Sequence, residues 1–302
     1  MGERTEGGMP VIQVHKDGAW MRIDPVGAQM TAYCDKKGKQ RLWSGDPDLW
    51  DKVAPILFPA IGAIKGGQVR FAGKAYPLSR HGFVREAAFE VREVGEDFCV
   101  LALRDSQETQ QQYPFSFALT VTHRLLPEGF VTEMEVENTG SQPMPFALGG
   151  HPGFACPMEE GEAFSDYIVR FEKPEEGRSL LCMPHGLITG EETLPLGPDN
   201  RTLALRYEDY DRKDTLIFAG LRSRSVELVH RETGKGLRFS FPNSPVLALW
   251  TMPHRHAPYL CLEPWNGLPA FADETGDFED KPYHVTLGAG ERFSLAYGME
   301  VL

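Results

Sequence analysis

The sequence predicts an all-β protein folded as a large antiparallel β-sandwich. Three observations predict this fold class: apolar and polar residues alternate with a period of two in many short segments, Gly and Pro separate these segments, and long amphipathic helical patterns are scarce. The chain of 302 residues contains 31 Gly and 23 Pro, which are scattered instead of clustered. We therefore expect no long linker and a single domain over residues 1–302.

The clearest predicted element is a β-hairpin. Alternate side chains from Phe117 to Leu125 would share one face of its first strand, and alternate side chains from Phe130 to Val136 would share one face of its second strand. The segment 127–129 between them reads Pro-Glu-Gly and supplies a turn. Shorter alternations predict further strands at residues 98–104, 226–230, 237–241, 246–252 and 293–302.

Composition excludes several classes of partner. Lys and Arg total 31 against 43 Asp and Glu, and the formal net charge of −12 argues against nucleic acid, whose backbone attracts basic surfaces. No apolar stretch approaches the roughly 18 residues of a membrane-spanning helix, and no signal-peptide core is visible. The five cysteines form no CxxC pair, so we expect a reducing compartment, the cytoplasm. The sequence leaves the oligomeric state open.

Common cofactor and metal motifs are missing from the sequence. It contains no HExxH, GxSxG or GxGxxG pattern. The segment 67–74 is similar to a phosphate-binding loop but has one residue too many, and we interpret it as a hairpin with Gly73 at the turn. His254 and His256 could offer two metal ligands, although a polar loop is the favoured interpretation. We therefore expect no cofactor and no metal.

Three segments combine an ionisable side chain with Gly, Pro and aromatic residues. They are residues 79–85 with His81 and Arg85, residues 149–154 with His151, and residues 261–267 with Glu263 and Trp265. Glycine lets a ligand approach the backbone, proline holds its neighbour in place, and an aromatic ring suits the apolar face of a sugar. The alternative is structural, with the histidines capping turns and Glu263 pairing with an arginine. Three such segments in one chain favour a sugar site, with Trp265 as one of its walls.

In their order and spacing these segments resemble the aldose 1-epimerase (mutarotase) family, in its bacterial branch with the galactose mutarotase-like supersandwich fold. The resemblance covers nearly the whole chain. The motifs that carry it are WSGDPDLW at 43–50, APILFP at 54–59, GKAY at 73–76, HGFVR at 81–85, YPF at 113–115, NTG at 138–140, GHPGF at 150–154 and LEPW at 262–265.

The resemblance implies two catalytic residues. His151 corresponds to the general acid of the family and Glu263 to its general base. The reaction interconverts the α and β anomers of a hexose: the base takes the proton of the C1 hydroxyl while the acid protonates the ring oxygen, so that the ring opens, rotates about C1–C2 and closes on the other face. Paired proton transfer of this kind contributes about 10²- to 10⁴-fold per group, and it needs neither metal nor nucleotide.

The resemblance also implies substrate-binding residues. His81 and Arg85 would contact sugar hydroxyls, and so would Asp214, which precedes a Thr-Leu-Ile-Phe segment. Asp211 lies close by in the sequence and is the alternative to Asp214. The family often has an arginine just after the LFPxxG segment, where this chain has alanine, and we expect Lys65 to take its place.

Other functions remain open on the sequence. A hexose-6-phosphate 1-epimerase would need cations for the phosphate, which Arg80, Arg85 and Lys65 could supply. A carbohydrate-binding protein without catalysis would keep the aromatic contacts, but it would not need both His151 and Glu263. A glycoside hydrolase would need two carboxyl groups around the scissile bond, and only one carboxylate lies in a rigid motif.

Overall fold

Two large antiparallel sheets dominate the computed structural model, which describes residues 10–302. The first has nine strands in the spatial order β17-β14-β19-β20-β24-β10-β9-β8-β7. Its strands are β7 (Glu90–Val94), β8 (Phe98–Arg104), β9 (Phe117–Leu126), β10 (Gly129–Asn138), β14 (Tyr167–Phe171), β17 (Thr202–Ala204), β19 (Ser225–His230), β20 (Gly236–Ser240) and β24 (Arg292–Val301).

The second sheet has eight strands in the order β16-β15-β18-β21-β22-β12-β4, with β13 also paired to β22. Its strands are β4 (Ile56–Leu57), β12 (Leu148–Gly150), β13 (Gly153–Ala155), β15 (Arg178–Leu181), β16 (Gly190–Thr193), β18 (Thr215–Ala219), β21 (Val246–Trp250) and β22 (Tyr259–Asn266). All eight residues of β22 are buried, so this strand lies in the interior.

Smaller elements complete the described part of the chain. The strands β1 (Ile12–Lys16), β2 (Ala19–Asp24) and β3 (Gln29–Cys34) form one sheet, β5 (Gln68–Phe71) pairs with β6 (Lys74–Pro77), and β11 (Met144–Phe146) pairs with β23 (Val285–Leu287). Within residues 10–302 there is one α-helix, α1 (Tyr207–Lys213). Short 3₁₀ turns lie at Lys65–Gly67, Val84–Glu86, Thr109–Gln111, Phe164–Asp166 and Phe278–Asp280.

The two large sheets pack face to face, which confirms the predicted all-β sandwich. Phe154 of the eight-stranded sheet contacts Phe239 of the nine-stranded sheet with ring centroids 5.6 Å apart, and Phe171 contacts Phe218 at 5.3 Å. One hydrophobic cluster includes residues of both sheets. This core joins the two sheets within residues 10–302, and a single domain over residues 1–302 stays a prediction.

The predicted strands are confirmed. In the hairpin of β9 and β10, Leu126 pairs with Gly129, so the turn consists of Pro127 and Glu128. Alternate residues of both strands are buried, as the period-two pattern requires. The segment 67–74 also forms a hairpin, whose turn residue Gly73 has a φ of 76°. A positive φ costs a glycine little, because it has no Cβ.

Candidate active site

The site begins with a carboxyl group on a strand where every residue is buried. Glu263 lies in the middle of β22 and is 1 % exposed. A charged group is costly to bury without a partner, so such a position indicates function. The partner, His151, comes from the segment that pairs with one edge of β22, first through β12 and, after an interruption, through β13.

The register of these two short strands brings His151 to Glu263. Gly149 pairs with Trp265, and Gly153 pairs with Cys261. The register is the same on both sides of the interruption, so position 151 lies directly opposite position 263. Side chains opposite each other in an antiparallel pair share a face and approach closely. The result is a distance of 3.2 Å between His151 Nε2 and Glu263 Oε2.

Three aromatic rings enclose this pair. The ring centroid of Trp50 lies 5.0 Å from that of His151, and Trp250 meets the imidazole edge-on at 5.5 Å. Trp265, two residues after Glu263 on the same strand, is 2 % exposed and lines the same cavity, as predicted for a wall residue. The imidazole is thereby held in one plane and shielded from water.

Burial disfavours the charged form of both groups. It lowers the pKa of His151 to about 3, and the positive charge of Arg85 contributes to this direction, while a hydrogen bond to the backbone of His151 itself opposes it. Burial raises the pKa of Glu263 well above its ordinary value, the charge of Asp214 raises it further, and the Trp265 indole opposes the rise. Burial therefore displaces the two pKa values in opposite directions, towards the uncharged form of each group.

A cavity of about 280 Å³ lies above the pair. Of the predicted residues, it brings together the following: His81, Arg85, His151, Asp214, Glu263 and Trp265. This volume is near the lower end of the range for small-molecule sites, which suits a compact ligand such as a monosaccharide.

The chain is strained where it places His81. This residue has a φ of 67°, and the following Gly82 has a φ of 74°. A Cβ on Gly82 would lie 2.0 Å from the carbonyl oxygen of Phe58, so the position requires glycine. His81 Nδ1 accepts a hydrogen bond from the backbone N–H of Gly62 at 3.1 Å, which leaves Nε2 to carry the proton of the neutral ring. Burial lowers the pKa of His81 well below its usual value, and the charges of His151, Arg85 and Arg80 add to this.

The glycines beside His151 serve packing, which differs from the sequence expectation. We expected them to let a ligand approach the backbone. A Cβ on Gly149 would lie 2.6 Å from the Trp265 ring, and a Cβ on Gly150 would lie 2.5 Å from the Tyr297 ring. These glycines therefore let the aromatic rings of Trp265 and Tyr297 approach the backbone. The glycines shape the cavity only indirectly, through the position of these rings.

Three cations line the cavity: Lys52, Arg80 and Arg85. Arg80 Nη2 donates to the backbone oxygen of His185 at 3.2 Å. In the described part of the chain, Arg85 Nε is buried without a hydrogen-bond partner, and the nearest carboxylate oxygen, of Glu86, is 3.7 Å away. Arg80 and Arg85 are thus available to bind an oxygen-rich ligand.

Asp214 lines the cavity, whereas Asp211, the alternative that the sequence left open, does not. Asp214 follows α1 with a φ of 62°, and its Oδ1 accepts a hydrogen bond from Trp250 Nε1 at 3.3 Å. Burial raises its pKa. Asp211, one turn earlier, accepts a hydrogen bond from the backbone N–H of His254 at 2.5 Å and holds the 254–256 loop instead. Both loop histidines are exposed and lie 3.6–3.7 Å from Asp211, as expected for a polar loop.

Lys65 lies outside the residues that line the cavity, which corrects the expectation that it replaces an arginine there. It begins the 3₁₀ turn Lys65–Gly67, where Gly66 has a φ of 65°. The side chain is exposed, and Nζ donates to the backbone oxygen of Glu274 at 2.9 Å. Ala63 does line the cavity, and Arg80 is the cation that lies across from it, near Gly186.

Sequence reasoning missed two walls of the cavity, Trp50 and Trp250. Trp50 ends the WSGDPDLW motif, and the indole of Trp43 in the same motif donates to its backbone oxygen at 2.8 Å. Trp250 was placed on a predicted strand, but its contact with Asp214 depends on the pairing of β18 with β21. The motif was a usable signal for Trp50, while no sequence signal pointed to Trp250.

The architecture and the site define a class: a galactose mutarotase-like β-sandwich with His151 and Glu263 side by side in a cavity. The chain belongs to the aldose 1-epimerase family, whose model matches residues 10–300. It is 33% identical over 278 residues to the plasmid-encoded protein LacX of Lactococcus lactis subsp. lactis, which covers 90% of this chain and 92% of that protein. Both results confirm the resemblance found in the sequence.

Solved structures agree with this assignment. The fold is similar to that of a galactose mutarotase related enzyme from Lactobacillus acidophilus, with a TM-score of 0.90, 26% identity and 97% of each chain covered. A galactose mutarotase-like protein from Lactobacillus casei ATCC 334 also has a TM-score of 0.90, with 29% identity, and covers 97% of this chain and 100% of its own. Within residues 10–302, no helix has the length and apolar character that crossing a membrane requires.

Proposed function

We propose that the protein is an aldose 1-epimerase that interconverts the α and β anomers of a hexose. The observation that carries this proposal is the 3.2 Å distance between His151 Nε2 and Glu263 Oε2 at the floor of a cavity of monosaccharide size. The C1 hydroxyl and the ring oxygen of an aldose are bonded to the same carbon. An acid and a base that are neighbours can therefore address both oxygens at once.

In the proposed reaction, the resting pair consists of a neutral imidazole on His151 and a protonated carboxyl group on Glu263, the forms that burial favours. Transfer of the proton from Glu263 to His151 creates a carboxylate and an imidazolium without a change in net charge. The carboxylate takes the proton of the C1 hydroxyl, and the imidazolium protonates the ring oxygen, so the C1–O5 bond breaks and a carbonyl forms. Closure on the other face returns both protons. His81, Arg85 and Asp214 orient the sugar through its hydroxyls, and Trp265 packs beside it.

Exchange between anomers can be measured directly. Nuclear magnetic resonance of a panel of free aldoses, with and without the full chain, should show accelerated exchange of the anomeric signals. Glucose and galactose are the first sugars to test. Binding of a sugar without acceleration would identify a carbohydrate-binding protein and would reject the proposal.

A second candidate is an epimerase for phosphorylated hexoses. Lys52, Arg80 and Arg85 line one cavity together with the carboxyl groups of Asp214 and Glu263, and burial raises the pKa of both carboxyl groups. An excess of guanidinium groups in an acidic protein favours a phosphate ligand. The same panel should therefore include 6-phosphorylated aldoses, and acceleration confined to these sugars would select this candidate.

We also propose the cytoplasm as the location. All five cysteines lie in the described part of the chain, and they are buried and free. Free thiols suit a reducing compartment.

A further inference from the structure

A thiol lies next to the acid–base pair and has no role in the proposed reaction. Cys261 precedes Glu263 by two residues on β22, so both side chains project from the same face of the strand. The residue opposite Cys261 is Gly153, and the space that a Cβ on Gly153 would enter is lined by Trp50, Trp43 and Cys261 Sγ. His151 lies opposite Glu263 and is therefore the diagonal neighbour of Cys261. Cys261 is fully buried.

The three side chains can offer ligand atoms that converge. One nitrogen of His151, Cys261 Sγ and one carboxylate oxygen of Glu263 all lie within 4.8 Å of one another. Tetrahedral zinc with bonds of about 2.0–2.3 Å needs ligand atoms about 3.3–3.6 Å apart. The distance from His151 Nε2 to Glu263 Oε2 is 3.2 Å. The nitrogen and oxygen are thus already near the spacing that zinc requires, and the sulfur needs a shift of about 1 Å at most.

Two further observations point to a ligand at this place. Within residues 10–302, Glu263 Oε2 is buried and has no conventional hydrogen-bond partner. His151 and Glu263 line the cavity and Cys261 lies outside its lining, so an ion held by all three would have its fourth coordination position on the cavity side. Three protein ligands and one open position are typical of accessible zinc sites.

We propose that His151, Cys261 and Glu263 form a binding site for a soft divalent cation, Zn²⁺, and that its occupation inhibits the enzyme. Binding releases the thiol proton of Cys261 and the carboxyl proton of Glu263. The resulting thiolate and carboxylate balance the charge of the ion, so the buried complex is neutral. The ion occupies both the acid and the base, and it competes with the sugar for the cavity.

The inhibitory part of this inference rests on the proposed function, whereas metal binding does not. The two can therefore fail separately. Binding is followed with Co²⁺ added to the full chain, because Co²⁺ bound to a thiolate gives a charge-transfer band in the near ultraviolet. Zn²⁺ should abolish the band by displacement, since a site of this kind binds zinc more tightly than cobalt. Anomer exchange is measured in the same samples.

The decisive variant is Cys261→Ser, which keeps the size of the side chain and removes the soft ligand. We expect the charge-transfer band to disappear, Zn²⁺ inhibition to weaken by at least about tenfold, and anomer exchange without metal to stay near the wild-type rate. Cys182→Ser is the matched control, since this thiol lines the same cavity but lies outside the ligand group, and it should retain the band. Unchanged thermal unfolding of Cys261→Ser verifies that the variant folds.

Other outcomes overturn the inference. Co²⁺ that binds without a charge-transfer band, and is lost in a His254→Ala, His256→Ala double variant, would place the metal at the exposed histidines. A band that survives in Cys261→Ser would assign it to another thiol. A wild-type chain that shows the band but no anomer exchange would reject the proposed function and leave the metal site standing.

Discussion

Replacement of Glu263 by glutamine isolates the proposed base. The amide keeps the size and planarity of the carboxyl group and can still contact His151 Nε2, now 3.2 Å from Glu263 Oε2. It cannot accept the proton of the C1 hydroxyl. Removal of one member of a proton-transfer pair costs about 10²- to 10⁴-fold, and at 1.36 kcal/mol per tenfold this corresponds to about 3–5 kcal/mol of transition-state stabilisation.

The structure indicates that the loss of rate in Glu263→Gln lies in the lower part of the range of about 10²- to 10⁴-fold. Asp214 lines the same cavity, and burial raises its pKa towards that of a useful base. A water molecule between Asp214 and the sugar could therefore transfer part of the proton. We expect Glu263→Gln to lose at least about a hundredfold in rate, and the double variant with Asp214→Asn to lose more.

The assay is polarimetry of freshly dissolved α-glucose and α-galactose. Glu175→Gln is the matched control, because Glu175 is also a buried carboxylate but accepts its hydrogen bonds from Ser223, outside the cavity. The unfolding midpoint of Glu263→Gln should not fall, since the variant removes a buried ionisable group whose Oε2 has no conventional partner within residues 10–302. A rate near that of the wild type in a folded Glu263→Gln variant would refute the assignment of the base.

Four further outcomes are expected. His151→Asn should lose at least about a hundredfold in anomer exchange with an unchanged circular dichroism spectrum, and retention of the rate would remove its role as acid. The rate should be flat through neutral pH and fall on both sides, at low pH because His151 is protonated and at high pH because Glu263 loses its proton, and a single sigmoidal limb would contradict a coupled pair. Burial lowers the pKa of His123 to about 4 in the folded chain, whereas the ordinary value in the unfolded chain is about 6.5. As the pH falls between these values, the unfolded chain takes up the proton and the folded chain does not. The free energy of unfolding should therefore fall by about 3 kcal/mol between pH 6.5 and pH 4. A denaturant titration of His123→Gln that shows the same acid loss would reject this cause. Asp214→Asn should raise KM for the sugar while Asp211→Asn should not, and equal effects would argue against a specific contact.

The predicted fold was most accurate where one face of a strand meets the core. β9 and β10 alternate between buried and partly exposed residues, and the sequence pattern shows this directly. β22 was not predicted as a strand, because all its residues are buried and no alternation exists to detect. The short strands β4 and β12 were also missed, since a pattern of period two needs more residues than they contain.

The motifs predicted which residues form the candidate site, but they did not predict how these residues are arranged in space. The three segments around His81, His151 and Glu263 were identified, but their convergence depends on pairings between residues more than a hundred positions apart. The choice of Lys65 failed for a similar reason. The exposed Lys65 side chain binds the backbone oxygen of Glu274, which is 209 positions away along the chain, and a single sequence does not show such a contact.

The ladder along β22 is interrupted between β12 and β13, at the position where His151 lies opposite Glu263. Pro152 has no backbone N–H, so it cannot donate to β22 and the ladder is interrupted there. Its carbonyl oxygen still accepts a hydrogen bond from the backbone N–H of Leu262 at 3.1 Å, which keeps the register. The backbone N–H of His151 instead donates to Pro55 at 3.0 Å, on the opposite side. The sheet thus holds His151 opposite Glu263 across the break, through the Leu262 hydrogen bond on one edge and the Pro55 hydrogen bond on the other.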